Sequence, residues 1–381
     1  MIIGVPKEIK NQEYRVGMTP GSVRECIAHG HKVVVQSTAG IGIGCSDDAY
    51  QAVGASISPS AEDLFNQADM IVKVKEPQKS ECKMLREGQI LFTYLHLAPD
   101  EEQVDMLLDS GCTAIAYETI TDSLGNLPLL APMSAIAGRM AIHVAAYSLH
   151  KNSGGSGILL GGVPGTQPAK VLIVGGGVVG TNAAQMGIGL GSDVTVIDKN
   201  MSRLRYLDEI FGSRLKTCYA TLDSIEEFAV EADVVVGAVL IPGSTSPKLI
   251  NRTTISKMKP GSVIVDVAID QGGCFETSKA TTHDSPTYLY ENVVHYCVAN
   301  MPGAVAKTSA FALNNVTLPF VLNLADKGLK EASYDNSHFR QGLNIHAGKL
   351  TCSAVAKAQN KKFTPAPVSY THLTLPTICS V

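Results

Sequence analysis

Short apolar runs separated by helical patterns recur along the whole chain. The runs are rich in valine, isoleucine and leucine, and most are followed at once by polar residues or glycine. Apolar runs that alternate with helical segments are typical of buried parallel strands, so the pattern predicts an α/β protein with mostly parallel sheets. The expected strands are Met1–Val5, His31–Val35, Asp69–Val74, Gln89–Leu95, Thr113–Tyr117, Val171–Val174, Val194–Ile197, Asp233–Leu240, Val263–Val267 and Val293–Cys297.

Two long helical patterns set the expected domain boundaries. Met133–Leu149 follows the proline-containing stretch Gly125–Pro132, and Ala304–Leu324 follows the dipeptide Pro302-Gly303. We therefore predict two Rossmann-like, doubly wound parallel-sheet domains joined by long helices, with a cleft between them. The expected ranges are 1–128 with 305–360 for a discontinuous substrate domain, 129–304 for a nucleotide domain, and 361–381 for an irregular tail appended to the fold.

The C-terminal part of the substrate domain carries one more expected element. Leu343–Ala358 is predicted as a further helix, whereas the residues after Lys361 have no helical period.

The stretch Lys170–Asp198 carries the most specific local signal. An apolar run ends in Gly175, Gly177 and Gly180 with the spacing G-x-G-x-x-G, and a helical pattern and a second apolar run precede Asp198. In this order the glycines permit a tight turn, close approach of a pyrophosphate, and packing of the helix on the strand. The helix N-terminus offers N–H groups to phosphates, and Asp198 can accept hydrogen bonds from ribose hydroxyls. We predict a dinucleotide site; the alternative is a glycine-rich turn in a flavodoxin-like fold without a cofactor.

Composition excludes several classes of protein. The net charge of −4 is too small to indicate nucleic acid or an anionic membrane as a partner, and no apolar run is long enough for a membrane span. The nine cysteines form no C-x-x-C pair and the N-terminus lacks a signal-peptide pattern, so we expect free thiols and a cytoplasmic location. The histidines are not at ligand spacing, so no metal site is expected.

Four polar residues are candidates for substrate chemistry. Arg15 offers a bidentate fork to a carboxylate, and Lys75 can hold a carboxylate or a carbonyl oxygen. His96 can exchange a proton near neutral pH, and Asp270 is a second candidate acid or base. Each has a simpler interpretation: a solvated arginine, a lysine paired with Glu76, a semi-buried histidine, and a helix-capping aspartate.

Several longer strings are distinctive, namely MIIGVPKEIKNQEYRVGMTP, VKVKEP, FTYLHLA, GGGVVG with VIDKN, DVAIDQGGCFETS and HYCVANMPGAVAKTSAFAL. Through these strings the chain, from residue 1 to about residue 357, resembles the bacterial NAD-dependent alanine dehydrogenases, within the alanine dehydrogenase/transhydrogenase NAD-subunit family. The resemblance implies reversible oxidative deamination of L-alanine to pyruvate and ammonia with NAD. It also implies a homo-oligomer, commonly a hexamer.

The resemblance assigns roles position by position. Arg15 and Lys75 become the substrate-binding pair, and His96 and Asp270 the catalytic residues. Besides Gly175, Gly177 and Gly180, the implied cofactor contacts are Ser134, Val178, Val179, Asp198, Arg203, Ala220, Val239, Leu240, Val267, Ala268, Ile269, Asp270, Lys279, Val298, Ala299, Asn300 and Met301.

Two of these positions depart from the family pattern. The family often has serine where Ala220 stands and arginine where Lys279 stands, so cofactor affinity is expected to differ in detail. Asp198 favours NAD over NADP because its charge repels a 2′-phosphate, although Lys199 and Arg203 lie nearby.

Three other functions fit parts of the pattern. They are the NAD-binding subunit of a proton-translocating transhydrogenase, a saccharopine- or lysine-forming dehydrogenase with a bulkier substrate, and a catalytically silent nucleotide-binding module. The context of His96 favours the alanine enzyme over the first, and the four polar residues together argue against the last.

Overall fold

The computed structural model describes residues 1–239 and 246–366. These residues fall into two compact units. The first unit comprises Met1–Pro132 and the described residues from Val305 onward, and the second comprises Met133–Ala304 apart from residues 240–245.

The strands are short, and seven of the fifteen among the described residues are buried along their whole length, as expected for apolar runs inside a sheet that is covered on both faces. In chain order they are β1 Ile2–Val5, β2 Lys32–Gln36, β3 Ser56–Ser58, β4 Met70–Val72, β5 Ile90–Thr93, β6 Thr113–Ala116, β7 Lys170–Val174, β8 Asp193–Asp198, β9 Lys216–Tyr219, β10 Val234–Gly237, β11 Val263–Asp266, β12 Thr287–Tyr290, β13 Val293–Tyr296, β14 Leu343–His346 and β15 Lys349–Leu350.

Many helices begin at a side chain that accepts a hydrogen bond from the first turn, as Thr19, Ser60, Asp100, Asn200 and Thr221 do. The helices are α1 Pro20–Ala28, α2 Asp47–Gln51, α3 Ala61–Gln67, α4 Lys79–Cys82, α5 Glu101–Ser110, α6 Ala131–Ser148, α7 Val178–Gly189, α8 Met201–Phe211, α9 Leu222–Glu231, α10 Arg252–Ser256, α11 Ala306–Asp335, α12 Ser337–Arg340 and α13 Ser353–Gln359.

The first unit contains an eight-stranded sheet in the order β15-β14-β6-β5-β4-β1-β2-β3. The strands from β1 to β6 are parallel and keep the doubly wound order 3-2-1-4-5-6. Strands β4 and β5 lie side by side near the centre of the sheet, with Val72 opposite Phe92. The segments that leave these two strands carry Lys75 and His96, so the topology fixes where both chains emerge.

The predicted helix Leu343–Ala358 is wrong in its first half. Leu343 to His346 forms β14, which pairs antiparallel with both β6 and β15, and only Ser353–Gln359 is helical. The turn between β14 and β15 needs positive φ at Ala347 (47°) and Gly348 (69°), which a continuous helix cannot accommodate. All four residues of β14 are buried, so pairing with β6 outweighs local helix propensity.

The second unit contains a seven-stranded sheet in the order β12-β13-β11-β10-β7-β8-β9. All its pairings are parallel except that of β12 with β13. Strand β7 is central, with β8 on one side and β10 on the other, which is the point where the strand order reverses. Ligands of open α/β sheets bind beyond the carboxyl ends of the strands at such a point.

Residues 361–366 continue beyond α13 along the first unit. The N–H of Thr364 donates to the Leu350 carbonyl at 2.9 Å, and Lys361 pairs with Asp105 at 2.5 Å. The rest of the segment that we predict as an irregular tail, residues 367–381, lies outside the described residues.

Candidate active site

The glycine-rich turn of the second unit lies between β7 and α7. Gly175 follows the strand with φ of 104°, a conformation that other residues rarely adopt. A Cβ on Gly180 would collide with the carbonyl oxygen of Gly175, so the helix can pack this close to the strand only with glycine there. A Cβ on Gly177 would meet nothing within 4 Å. The turn therefore presents open backbone at the N-terminus of α7, a geometry that fits a pyrophosphate.

Asp198 lies at the end of the neighbouring strand β8 and fixes the same turn. Its Oδ2 accepts the N–H of Gly176 at 2.6 Å and its Oδ1 accepts the N–H of Asn200 at 2.7 Å. Arg203 of α8 donates to the carbonyl of Gly176 and to the hydroxyl of Thr181. Hydrogen bonds thus join the end of β8 and the glycine-rich turn to helices α7 and α8.

Three further groups of predicted cofactor contacts follow strands of this sheet. Val239 follows β10, the residues 267–270 form a 3-10 turn after β11, and the residues 298–301 follow β13. Parallel strands end at one edge of a sheet, so these groups share the edge with the glycine-rich turn. Leu240 lies outside the described residues.

Asp270, the predicted acid or base, is exposed on the 3-10 turn after β11. Asp266, at the end of β11, holds this turn. Its carboxylate accepts the N–H of Ala268 (3.2 Å), the N–H of Cys274 (2.8 Å) and the hydroxyl of Ser278 (2.5 Å). Burial raises the pKa of Asp266, and these hydrogen bonds partly offset the rise. Asp266 thus sets the backbone from which Asp270 projects.

The remaining predicted cofactor contacts are scattered over the second unit. Ser134 is half-buried on the first turns of α6, and Ala220 is buried beyond β9 with its N–H on the Asp198 carbonyl at 3.0 Å. Lys279 is exposed, and its N–H donates to the Tyr288 hydroxyl at 2.9 Å. The roles of all three stay predictions.

In the first unit, Arg15 is not a solvated surface arginine. Its side chain is 2% exposed and its Nη2 lies 2.6 Å from Glu13 Oε2, while Nε donates to Glu13 Oε1 at 2.7 Å. Burial lowers the pKa of Arg15, but the two bonds to Glu13 outweigh it, so the pKa is raised. A permanently charged fork in a fixed orientation is suited to binding a carboxylate.

Lys75 is held through its backbone. Glu8 accepts the N–H of Val74 at 2.6 Å and that of Lys75 at 3.3 Å, and Thr93 donates to the Lys75 carbonyl at 2.9 Å. The simpler interpretation of a pair with Glu76 is only weakly supported, because Nζ lies 3.9 Å from the carboxylate.

A buried ion triad lies beside this backbone. Lys73 is fully buried, and its Nζ donates to Glu8 at 2.9 Å and to Glu81 at 2.7 Å. Burial lowers the pKa of Lys73, but the two carboxylates outweigh it and raise the pKa above its ordinary value. Burial raises the pKa of Glu8, against the attraction of Lys73. The triad ties the loop after β1 to the chain that leaves β4.

His96 has an unusual backbone conformation. It lies just beyond β5 with φ of 48°, and Glu118 accepts its N–H at 2.6 Å. Its ring stacks on Tyr94, with centroids 5.8 Å apart and an interplanar angle of 8°. The side chain is 43% exposed, so His96 is not the semi-buried histidine of the simpler interpretation.

The first unit brings Arg15, Lys75 and His96 into one neighbourhood through shared partners. Tyr94 interacts electrostatically with Arg15 and stacks on His96, while Glu8 interacts with Arg15 and holds the backbone of Lys75. Asp270 belongs to the second unit, and its participation in the same reaction stays a prediction.

Sequence patterns did not reveal the residues that hold these side chains. Only one of them had a signal: Glu13 precedes Arg15 by two residues, close enough for a local pair. Glu8 and Glu118 lie more than 20 residues from the groups that they hold, and only the sheet topology brings them into contact. Tyr94 lies two residues before His96 and Asp266 four residues before Asp270, both in unremarkable sequence contexts.

Among residues 1–239 and 246–366, no cluster of three or more His, Cys, Asp or Glu side chains is arranged to hold a metal ion. No helix in that part of the chain has both the length and the apolar character required for a membrane span.

One unit has the Rossmann strand order, the three glycines and the acidic end of β8, and the other is an α/β unit with buried cations. Together these features define a two-domain dinucleotide-dependent dehydrogenase fold. More particularly, the chain belongs to the alanine dehydrogenase/PNT family. The model of the family's N-terminal domain matches residues 4–137 and that of its C-terminal domain matches residues 141–353. The resemblance predicted from the sequence strings is thus confirmed.

Curated relatives extend over nearly the whole chain. The alanine dehydrogenase of Halomonas elongata is 58% identical over 366 residues, which is 96% of this chain and 99% of that protein. The alanine dehydrogenase of Bacillus subtilis is 53% identical over 367 residues, which is 96% of this chain and 97% of that protein.

Solved structures confirm the predicted fold class of two parallel-dominated sheets with flanking helices. An L-alanine dehydrogenase with 50% identity superposes with a TM-score of 0.91, covering 94% of this chain and 99% of that one. A transhydrogenase from Sinorhizobium meliloti, 24% identical, superposes with a TM-score of 0.79 over 93% of this chain and 100% of that one, and shows the shared fold alone.

Proposed function

We propose that the chain is an NAD-dependent dehydrogenase that converts L-alanine reversibly to pyruvate and ammonia. The observation that carries the proposal is the buried, charged Arg15 fork beside Lys75 and His96, in a chain whose relatives bear the name alanine dehydrogenase over nearly their whole length. A fixed guanidinium suits a small α-amino or α-keto acid, because the carboxylate is the group that such substrates share.

The residues of the second unit fit NAD. The open backbone at Gly177 and the N-terminus of α7 can take the pyrophosphate, and Asp198 can take the ribose hydroxyls. The negative charge of Asp198 disfavours a 2′-phosphate. When bound, NAD supplies the acceptor for the hydride that leaves the substrate Cα.

The chain's own residues account for the remaining proton transfers. Arg15 holds the substrate carboxylate and Lys75 the oxygen at the carbonyl carbon. Asp270 activates the water that adds to the iminium carbon, and His96 exchanges a proton with the oxygen that this addition introduces. Loss of ammonia then leaves the keto acid. In the reverse direction, the proton of His96 polarises the pyruvate carbonyl.

Steady-state assays of the purified protein test the reaction. NADH should be oxidised on addition of pyruvate and ammonia, and not with 2-oxoglutarate and lysine or without a keto acid. Turnover with 2-oxoglutarate and lysine alone would identify the bulkier-substrate enzyme. NADH binding without turnover on either mixture would favour the transhydrogenase subunit or the silent module.

Two variants test the assignment of the proton-transfer groups. His96→Ala and Asp270→Asn should each lower kcat by about a hundredfold or more, with NADH affinity within twofold of the parent. Both side chains are exposed, so neither change should destabilise the fold. His143→Ala, at another exposed histidine, is the matched control and should keep full turnover. Near-normal kcat in either test variant removes that residue from the mechanism.

The setting of the enzyme is part of the proposal. The family resemblance supports a homo-oligomer, and the cysteine usage supports a cytoplasmic location. Sedimentation of the purified chain measures the first.

A further inference from the structure

The geometry points to Glu118 as a positioning residue for His96, one that sets both the backbone and the ring nitrogen of that side chain. This inference rests on the proposed function for its kinetic consequences, whereas its structural part stands on the hydrogen bonds alone. It assigns a role to a carboxylate that no sequence motif singled out.

The first step is the position of Glu118 in the sheet. Glu118 lies on the 3-10 turn Tyr117–Thr119 that follows β6, and His96 lies beyond the neighbouring strand β5. The two strands are parallel and paired up to their ends, with Thr93 opposite Ala116. The carboxylate is therefore brought beside the His96 segment by the sheet register, not by closeness in sequence.

The second step is the backbone. Glu118 Oε1 accepts the N–H of His96 at 2.6 Å and that of Leu95 at 3.2 Å, and its Oε2 also lies 3.2 Å from the Leu95 nitrogen. His96 has φ of 48°, a left-handed conformation that is strained in a non-glycine residue. A carboxylate that accepts two successive N–H groups stabilises such a turn, because both donors point to the same side.

The third step is the ring. Nδ1 of His96 lies 4.0 Å from Glu118 Oε1, and one ring face stacks on Tyr94. Tyr94 is itself fixed, since its hydroxyl donates to the Leu129 carbonyl at 2.6 Å. The carboxylate beside Nδ1 favours the tautomer with the proton on that nitrogen, which leaves Nε2 as the atom that exchanges a proton with substrate.

The other ionisable groups around Glu118 do not obscure its charge. Tyr94, just after β5, and Cys352, just before α13, both interact with it electrostatically, and burial raises the pKa of both. Both are therefore neutral between pH 6 and 8, and Arg15, which interacts with Tyr94, stays charged throughout. Replacement of Glu118 by glutamine changes one charge near His96 in that range.

The kinetic test compares Glu118→Gln with the parent in L-alanine oxidation across pH 6 to 9. An amide keeps an acceptor oxygen for the His96 N–H but loses the charge beside Nδ1. We expect kcat to fall about 10- to 100-fold, with NADH affinity and the thermal midpoint nearly unchanged. The loss should lie in kcat and not in KM for L-alanine, because Glu118 acts on His96 and not on the groups that hold the substrate carboxylate.

Glu102→Gln is the matched control, because it removes the same charge at an exposed position of the same unit. It should leave kcat and KM unchanged. Parent-like kcat in Glu118→Gln would overturn the positioning role.

Hydrogen exchange tests the structural part without relying on turnover. Amide exchange in a peptide spanning Tyr94 to Leu97 should be faster in Glu118→Ala by about tenfold or more and close to the parent in Glu118→Gln, because only alanine leaves the two N–H groups without an acceptor. Unchanged exchange in Glu118→Ala would overturn the inference. If the parent oxidises no alanine, the proposed function fails. Slower amide exchange in Glu118→Gln than in Glu118→Ala would still support the role of Glu118 in holding the Leu95 and His96 backbone.

Discussion

Replacement of Lys73 by methionine tests how much the buried triad contributes to the first unit. Methionine matches the length of the lysine side chain, so Lys73→Met leaves no large cavity. It removes the partner of two buried carboxylates, whose oxygens lie 2.9 Å (Glu8) and 2.7 Å (Glu81) from the lost Nζ. Breaking a buried pair by removing one partner costs about 3 to 5 kcal/mol, because a charge is left uncompensated.

Urea titration at one protein concentration measures this cost. With a slope of about 3 kcal/mol per M, the unfolding midpoint should fall by about 1 to 1.7 M at pH 8. Lys79→Met is the matched control, since Lys79 pairs with Glu102 at the same 2.7 Å distance but on the surface. Its midpoint should not change measurably, because exposed ion pairs are screened by solvent.

The pH dependence separates charge from packing. Burial raises the pKa of Glu8 above its ordinary 4.5, and Lys73 opposes the rise. A carboxyl whose pKa is raised on folding contributes stability that is fully present below pH 4.5 and lost as the pH rises through the raised value. Without Lys73 the pKa of Glu8 rises further, so the deficit of Lys73→Met should be largest at pH 8 and shrink toward pH 5.

A triple variant closes the test. Combining Lys73→Met with Glu8→Gln and Glu81→Gln removes all three charges and should restore most of the lost midpoint. A deficit that is small at pH 8, constant with pH, or unchanged in the triple variant would refute the reasoning from uncompensated charge.

Two further predictions concern the nucleotide unit. Gly180→Ala places a Cβ against the Gly175 carbonyl and should weaken NADH binding by about tenfold or more in a fluorescence titration. In the control Gly189→Ala, on the same helix, the added Cβ meets nothing within 4 Å, so NADH should bind normally. Equal NADH affinities of the two variants would contradict the packing role of Gly180. Asp198→Ala should weaken NADH binding about 10- to 100-fold and reduce the preference of the protein for NADH over NADPH. An unchanged ratio of the NADH and NADPH dissociation constants would show that Asp198 does not bind the ribose hydroxyls.

The parts of this molecule that could be predicted from sequence are those whose physics is local. The turn at Gly175 and the buried run of β7 each need only a few adjacent residues, and both lie where the pattern places them. The segment from Leu343 failed because its decisive contact is the pairing of β14 with β6, more than 200 residues away in sequence. A prediction made from hydrophobic periodicity alone cannot detect a contact between residues so far apart in sequence.

The same distinction applies to the candidate site. The side chains that would touch substrate are conspicuous in sequence, since a cation or histidine directly after an apolar strand is unusual. Among the residues that hold these side chains are ordinary glutamates such as Glu8. The role of such a glutamate becomes apparent only when the structure shows that it is buried away from water. Glu8 lies 65 residues from Lys73, yet it is almost fully buried against it.

Buried charge also decides which substitutions report on catalysis. Six charged side chains of the first unit are buried among the described residues, and they balance as three carboxylates (Glu8, Glu13 and Glu81) against three cations (Arg15, Lys73 and Lys75). Removal of any one leaves a net charge in a medium that solvates it poorly, and the fold loses stability whatever the residue does for substrate. Inactivity of an Arg15 or Lys75 variant is therefore ambiguous between lost binding and a weakened unit. His96 and Asp270 are exposed and outside this balance, so a loss of turnover on their replacement reports directly on the reaction.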